Sequence, residues 1–198
     1  LRKEMQAAGL DGFLVPRADA HQGEYVAERD ARLAWLTGFT GSAGFCVALA
    51  DVAGVFIDSR YRTQVKAQVA DVYTPVPWPE VKLAGWLKEQ LPGGGRVGFD
   101  PWLHSVAQLR EARAALEGTG IELVAHENLV DRIWEDQPAP PAAPARAHPL
   151  DFAGESAQAK RERLGKELAE AGQKGAVLTL PDSIMWLLNI RGADIERN

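Results

Sequence analysis

The sequence has little cysteine, no long apolar run and no cluster of charge of one sign. Its 198 residues include one cysteine, Cys46, which cannot form an internal disulfide and whose neighbours Phe45 and Val47 favour a buried, inert thiol. No apolar run approaches the roughly 20 residues of a membrane-spanning helix. The opening LRKEMQAAG is an amphipathic helical pattern that lacks the apolar core of a signal peptide. These absences predict a soluble, cytoplasmic protein.

The charge distribution argues against two classes of partner. The net charge is −5, and acidic and basic residues are interspersed, so the chain has no basic stripe for nucleic acid or anionic lipid. Hydrophobic residues make up 46% of the composition, which is enough to build a packed core. We therefore expect a globular protein without a nucleic-acid or membrane partner.

The residues that bind metals in enzymes do not form a recognisable set. Ten residues separate Asp19 from Asp30, in the manner of two bridging carboxylates, but a dinuclear site also needs a histidine and further carboxylates that converge on it. We interpret this pair as a chance spacing and predict no metal site in this chain. The four histidines are scattered, at His21, His104, His126 and His148.

Two other motifs match catalytic or nucleotide-binding patterns only in part. The run Gly93–Gly98 fits G-x-G-x-x-G, but a predicted helix precedes it and a strand follows it, the reverse of a dinucleotide site. We interpret it as a helix-to-strand turn. Ser42 lies in Gly-Ser-Ala-Gly without the strand-to-helix context of a nucleophile elbow, so we expect a turn there as well.

Short apolar runs that alternate with helical patterns predict one α/β domain that ends near residue 136. Two of these runs, separated by Ala50 and Asp51, indicate a β-hairpin, and a run with two prolines indicates an edge strand. The six predicted strands are Gly12–Val15, Gly44–Leu49, Ala53–Ile57, Val72–Pro77, Arg96–Phe99 and Ile121–Ala125. The predicted helices are Leu1–Ala8, Tyr61–Ala70, Pro79–Leu91, Val106–Leu116 and Asn128–Trp134.

A proline-rich segment follows this domain. Residues 137–149 include five prolines and no apolar periodicity, which favours a semi-rigid spacer over a ligand for a proline-binding module. After it, the sequence predicts a helix over 156–172, a strand over Ala176–Leu180 and a helix over Asp182–Leu188 with Asp182 as its N-cap.

The two halves of the chain begin alike, which indicates a duplicated helix-strand-helix unit. The second copy stops at Asn198, before any counterpart of the hairpin, and half a domain would expose strand edges. We therefore expect the sequence to be the front part of a longer chain. The matching positions are Leu1, Glu4, Ala8, Gly9 and Gly12 with Leu164, Glu167, Ala171, Gly172 and Gly175, and Trp35-Leu36 with Trp186-Leu187.

Six motifs together resemble the N-terminal region of the three-domain Xaa-Pro aminopeptidases of the creatinase/prolidase superfamily. The resemblance extends over essentially the whole chain. The motifs are DAHQGEY at 19–25, LTGFTGSAG at 36–44, DSRY at 58–61, GFDP at 98–101, ENLVDRIW at 127–134 and WLLNIRGAD at 186–194.

The resemblance implies a three-layer α/β/α sandwich around a mixed six-stranded sheet, followed by the start of a second related domain. It divides the chain into a first domain over 1–136, the linker over 137–149 and the beginning of the second domain over 150–198. The catalytic domain, with two divalent metal ions of which Mn²⁺ is typical, would lie outside this sequence. The resemblance also implies a homodimer and peptide substrates with proline at the second position.

Arg60 is the one residue of this chain that matches a site residue of the family. The resemblance implies that it is a substrate-binding arginine. A guanidinium is always charged and presents a planar fork of donors, which suits a peptide carbonyl or a terminal carboxylate. The alternative is a surface arginine that is paired with Asp58 or solvated.

Two other assignments of the whole chain remain open. A peptidase-like module that has lost activity would have the same fold, although the chain lacks the acidic tracts of the histone chaperones in this superfamily. Prolidase and creatinase are less favoured, because these two-domain relatives pass from one N-terminal domain directly to the catalytic domain.

Overall fold

The computed structural model describes residues 1–195 and divides into two units. The first unit comprises Leu1–Glu24 and Glu28–Pro138, and the second comprises Tyr25–Ala27 and the described chain from Ala139 onward. Within residues 1–195, no helix combines the length and the apolar character needed to cross a membrane.

A mixed six-stranded sheet forms the centre of the first unit, as predicted from the sequence. The strand order is β4-β3-β2-β1-β5-β6, with β4 at an edge as expected. Strand β2 runs antiparallel to β1 and β3, and every other pair in this sheet is parallel. The carboxyl ends of five strands therefore meet at one edge. The strands are β1 (Gly12–Pro16), β2 (Gly44–Leu49), β3 (Ala53–Ile57), β4 (Thr74–Pro77), β5 (Gly95–Phe99) and β6 (Ile121–Ala125).

Helices cover both faces of this sheet, which confirms the three-layer α/β/α architecture. Alternate residues of each strand point to opposite faces, so Phe13 packs in one core cluster and Leu14 in the other. Helices α1 (Arg2–Ala7), α2 (Arg32–Thr37) and α3 (Gln64–Gln68) contribute to the first cluster, and α4 (Leu83–Gln90) and α5 (Val106–Leu116) contribute to the second.

Several predicted boundaries are confirmed and others are wrong. Gly93 and Gly94 lie between α4 and β5, which confirms the helix-to-strand turn. The helix predicted over Pro79–Leu91 begins only at Leu83, and the one over Tyr61–Ala70 is a 3-10 helix, Ser59–Tyr61, followed by α3.

The helix predicted over Asn128–Trp134 is wrong, because these residues form turns. The side chain of Asn128 accepts a hydrogen bond from the backbone N–H of Val130 at 3.1 Å. Such a bond offers the backbone an alternative to helical pairing. The side chains of Asp131 and Trp134 are held instead by Arg32 and Trp35 of α2.

The second unit has little regular sheet among its described residues. Strands β7 (Arg146–Ala147) and β8 (Ile190–Arg191) form one short antiparallel pair. The strand predicted over Ala176–Leu180 is wrong, since this segment pairs with no other described strand and Val177 is 89% exposed. The helices are α6 (Leu150–Ala153), α7 (Ala157–Glu170) and α8 (Pro181–Leu188).

The predicted N-cap of α8 is also wrong. Leu180 occupies the N-cap position, Pro181 opens the helix and Asp182 lies within its first turn. Proline is favoured at the first helical position because it has no N–H to leave unpaired, which moves the start of the helix ahead of Asp182.

Candidate functional site

The carboxyl edge of the sheet in the first unit brings together segments that are far apart in the sequence. The loop after β1 contains Asp19, the turn after β3 contains Arg60, and Trp78 follows β4 directly. Because β2 is antiparallel, its beginning lies at the same edge, and Ser42 stands just before it. In sheets with parallel strands this edge is where ligands bind most often.

Arg60 is held by Asp58 in a two-pronged ion pair. Its Nη2 and Nε donate to the Asp58 carboxylate at 2.6 and 3.1 Å, and its backbone N–H donates to the same group at 2.9 Å. The hydrogen bonds from Arg60 lower the pKa of Asp58, and those with Asp58 raise the pKa of Arg60. The Arg60 side chain is 61% exposed, and its remaining nitrogen, Nη1, takes no part in the hydrogen bonds to Asp58.

Tyr61 fixes the other side of this turn. The guanidinium carbon of Arg60 lies 5.0 Å from the centre of the Tyr61 ring, a cation–π distance. The Tyr61 hydroxyl shares a hydrogen bond of 2.7 Å with Ser42 Oγ, and this bond lowers the pKa of Tyr61. Ser42 thus has a structural partner in the turn that leads into the hairpin, as predicted.

The two carboxylates with a metal-like spacing have separate partners. Asp19 is buried, and its Oδ1 accepts the backbone N–H groups of His21 and Gly23 at 2.9 and 3.1 Å. Asp30 instead accepts a hydrogen bond from Arg32 at 2.8 Å. Within residues 1–195, no three His, Cys, Asp or Glu side chains form a group that could hold a metal ion.

A cleft of about 630 Å³ opens beside this edge, on the face of the sheet covered by α4 and α5. Sequence reasoning missed it, because its walls come from separate segments that carry no shared local pattern. His104 lies in the wall, and its Nε2 is buried without a hydrogen-bond partner in the described structure. Burial lowers the pKa of His104, and the charge of Asp100 opposes this only in part.

Several other motif residues of the first unit have structural roles. Asn128 donates to Asp100 at 3.0 Å, and Asp100 caps the 3-10 helix Pro101–Leu103. Trp35 and Trp134 stack with their ring centres 5.2 Å apart. These contacts join α2 and the loops after β5 and β6 to one another.

Comparison with models of known protein families shows to which family the chain belongs. The family model described as creatinase/prolidase N-terminal domain matches residues 1–133, and a second model with the same description matches residues 136–198. The chain belongs to the creatinase/prolidase N-terminal domain family. Its mixed six-stranded sheet and flanking helices are the fold expected of such a domain.

Curated relatives of this creatinase/prolidase chain are peptidases by name. It is 39% identical over its whole length to a probable Xaa-Pro aminopeptidase P of Coccidioides posadasii, of which it covers 31%. It is 38% identical over 96% of its length to aminopeptidase P2 of Arabidopsis thaliana, of which it covers 28%. The chain therefore spans about a third of the length of these relatives.

Solved structures similar to this chain are also peptidases by name. The X-prolyl aminopeptidase of Caenorhabditis elegans, described as a cytosolic enzyme with a di-nuclear active site, matches 94% of this chain with a TM-score of 0.84 and 34% identity. The chain covers 31% of that structure. The N-terminal domain of the cytoplasmic peptidase PepQ of Mycobacterium tuberculosis matches 67% of this chain with a TM-score of 0.54 and 30% identity, and 93% of it is covered.

Proposed function

We propose that this chain is the non-catalytic N-terminal part of a metal-dependent Xaa-Pro aminopeptidase, which releases the N-terminal residue that precedes proline. The names of its relatives and its share of their length support this proposal. The domain limits of 1–136, 137–149 and 150–198 belong to the same proposal. The two metal ions, which we expect to be Mn²⁺, would be bound by the rest of the polypeptide.

In this proposal, Arg60 contacts the substrate. The observation that carries it is the ion pair with Asp58, which takes up Nη2 and Nε and leaves Nη1 out of the pair on a side chain that is 61% exposed. A guanidinium that is already oriented loses less conformational freedom when it donates to a carbonyl or carboxylate. The first unit would thus add one directed donor to a catalytic centre built by the rest of the enzyme.

The proposal also covers the cellular location and the oligomeric state of the enzyme. We place it in the cytoplasm, in line with the descriptions of the relatives from Caenorhabditis elegans and Mycobacterium tuberculosis. We also expect a homodimer of the full-length polypeptide. Sedimentation of that polypeptide as a monomer at working concentration would contradict the dimer without affecting the activity.

Hydrolysis assays test the activity directly. The full-length polypeptide that contains this chain should release the first residue of Ala-Pro peptides with added Mn²⁺, and should not cleave matched Ala-Ala peptides. The 198-residue chain should cleave neither. A full-length polypeptide that binds these peptides but hydrolyses none of them would identify the alternative, a peptidase-like binding module.

A further inference from the structure

Two hydrogen bonds connect the segment around Arg60 to the cleft of the first unit. The hydroxyl of Tyr61, next to Arg60, bonds to Ser42 in the cleft wall. The backbone N–H of Trp78, also in the wall, donates to the carbonyl of Ile57, the residue before Asp58, at 2.9 Å. The turn that contains Arg60 is therefore joined to the cleft at Ser42 and Trp78.

The interior of the cleft is mainly apolar, although His104 lies in its wall. Leu14 and Phe45 of the sheet form its floor, and Leu109 of α5 is part of one wall. Its volume of about 630 Å³ lies within the range of roughly 300–1,000 Å³ that is typical of ligand pockets. An apolar interior of this size suits amino-acid side chains.

Charges at the cleft are balanced rather than of one sign. The lining includes two cationic side chains, Arg17 and Lys82, and two anionic ones, Glu24 and Glu111. A strongly anionic ligand such as a phosphate would meet the carboxylates as well as the cations. A peptide segment, with alternating donors and acceptors and no net charge, fits both kinds of group.

Trp78 gives the cleft an aromatic wall on the side of Arg60. Its side chain is 37% exposed, and its ring packs edge-on against Phe45 with centres 6.3 Å apart. Tryptophan presents a large rigid surface at low conformational-entropy cost, which is why it recurs in recognition sites.

We propose that this cleft is a subsite for the residues that follow proline in a peptide substrate, with Trp78 as its aromatic wall. The inference rests on the proposed function in one respect, the direction of the peptide. An enzyme that removes a single residue ahead of proline has only that residue on the amino side of the scissile bond. A cleft that holds several residues must therefore receive the carboxyl side of the substrate.

Neighbouring alanines of α5 provide a matched pair of variants. Ala115 lines the cleft, whereas Ala114 does not, and both are exposed. Ala115→Phe should fill part of the cleft without disturbing the core, and Ala114→Phe adds the same side chain elsewhere on the helix. The probes are the pentapeptide Ala-Pro-Leu-Phe-Leu and the dipeptide Ala-Pro.

Binding to the 198-residue chain is the first readout. In ¹H–¹⁵N spectra, the pentapeptide should shift the indole signal of Trp78, identified with Trp78→Phe, in a saturable way, and the dipeptide should not. Ala115→Phe should weaken the binding by at least about fivefold, or ~1 kcal/mol, and Ala114→Phe should leave it within twofold of wild type. No saturable shift, or equal loss in both variants, would overturn the subsite.

Hydrolysis by the full-length polypeptide separates this inference from the proposed function. Ala115→Phe should lower kcat/KM for the pentapeptide about fivefold relative to the dipeptide, and Ala114→Phe should not. If the wild-type polypeptide cleaves neither peptide but the chain binds the pentapeptide as expected, the peptidase assignment fails and the peptide site stands. If both peptides are cleaved and the ratio of their kcat/KM values is the same in wild type and both variants, the peptidase assignment stands and the subsite is overturned.

Discussion

Arg32 donates two hydrogen bonds to Asp131, its partner 99 residues along the chain, at 2.6 and 3.1 Å. A third bond runs from Arg32 to Asp30 at 2.8 Å. Burial alone would lower the pKa of Arg32, but the bonds with the two carboxylates outweigh it and raise the pKa above its ordinary value. The buried guanidinium thus connects α2 to the turns over residues 129–133.

Removal of one of these carboxylates should destabilise the first unit. Asp131→Asn keeps the shape but leaves Arg32, whose side chain is 7% exposed, with a single anionic partner. We expect a loss of about 1.5–3 kcal/mol in the free energy of unfolding, measured by urea denaturation. Glu80→Gln, which breaks the exposed pair with Arg62, serves as the control and should have no measurable effect. Equal midpoints for both variants would contradict this role.

Gly38 should tolerate no side chain. It ends α2 with φ of +80°, and a Cβ there would lie 2.7 Å from the carbonyl oxygen of Gln68. Gly38→Ala should therefore cost about 1–2 kcal/mol for the left-handed backbone alone, and more for the contact. Gly93→Ala, where a Cβ meets nothing within 4 Å, is the matched control. Thermal unfolding with an unchanged midpoint for Gly38→Ala would show that the turn relaxes.

The thiol of Cys46 should make stability depend on alkaline pH. Burial raises the pKa of Cys46 from 9.0 to about 12, and the charge of Arg2 opposes this only in part. The folded state therefore keeps the proton, and this contribution is fully present below pH 9 and lost as the pH rises towards 12. Between these values, wild type should lose about 1.4 kcal/mol per pH unit more than Cys46→Ala. Parallel denaturation profiles for the two proteins would contradict the prediction.

The 198-residue chain should bind no Mn²⁺ stoichiometrically. A transition metal needs several convergent donors, and Asp19 and Asp30 are engaged with different partners. Isothermal titration calorimetry should show only weak, non-saturating heats. One site per chain at micromolar affinity would place a metal centre in this part of the polypeptide.

Local sequence patterns predicted the sheet of the first unit because each strand is a short apolar run bounded by turn residues. They failed where side chains redirect the backbone. Residues 128–134 have helical apolar spacing, but Asn128 bonds to the backbone N–H of Val130 and opens a turn. The apolar segment 176–180 has no described strand beside it to complete its hydrogen bonds, so a strand-like composition did not produce a strand.

The candidate site was predictable only in part. The sequence placed Asp58 and Arg60 directly after a buried strand. The structure shows the pair of Arg60 with Asp58, and the contact of Arg60 with substrate stays a prediction. The cleft could not be predicted, because it depends on which strands are neighbours. Only the strand order brings Trp78 beside Asp58 and sets Ser42 against Tyr61.

Substitution of Arg60 in the full-length polypeptide tests the central claim, that the first unit supplies a directed donor to the substrate. Lysine keeps the charge but lacks the planar fork that Asp58 orients. Arg60→Lys should lower kcat/KM for Xaa-Pro peptides by about tenfold or more with an unchanged melting temperature. Arg62→Lys, at an exposed arginine two residues away, should retain wild-type kinetics. Unchanged kinetics for Arg60→Lys, or a loss of activity matched by unfolding, would contradict the claim.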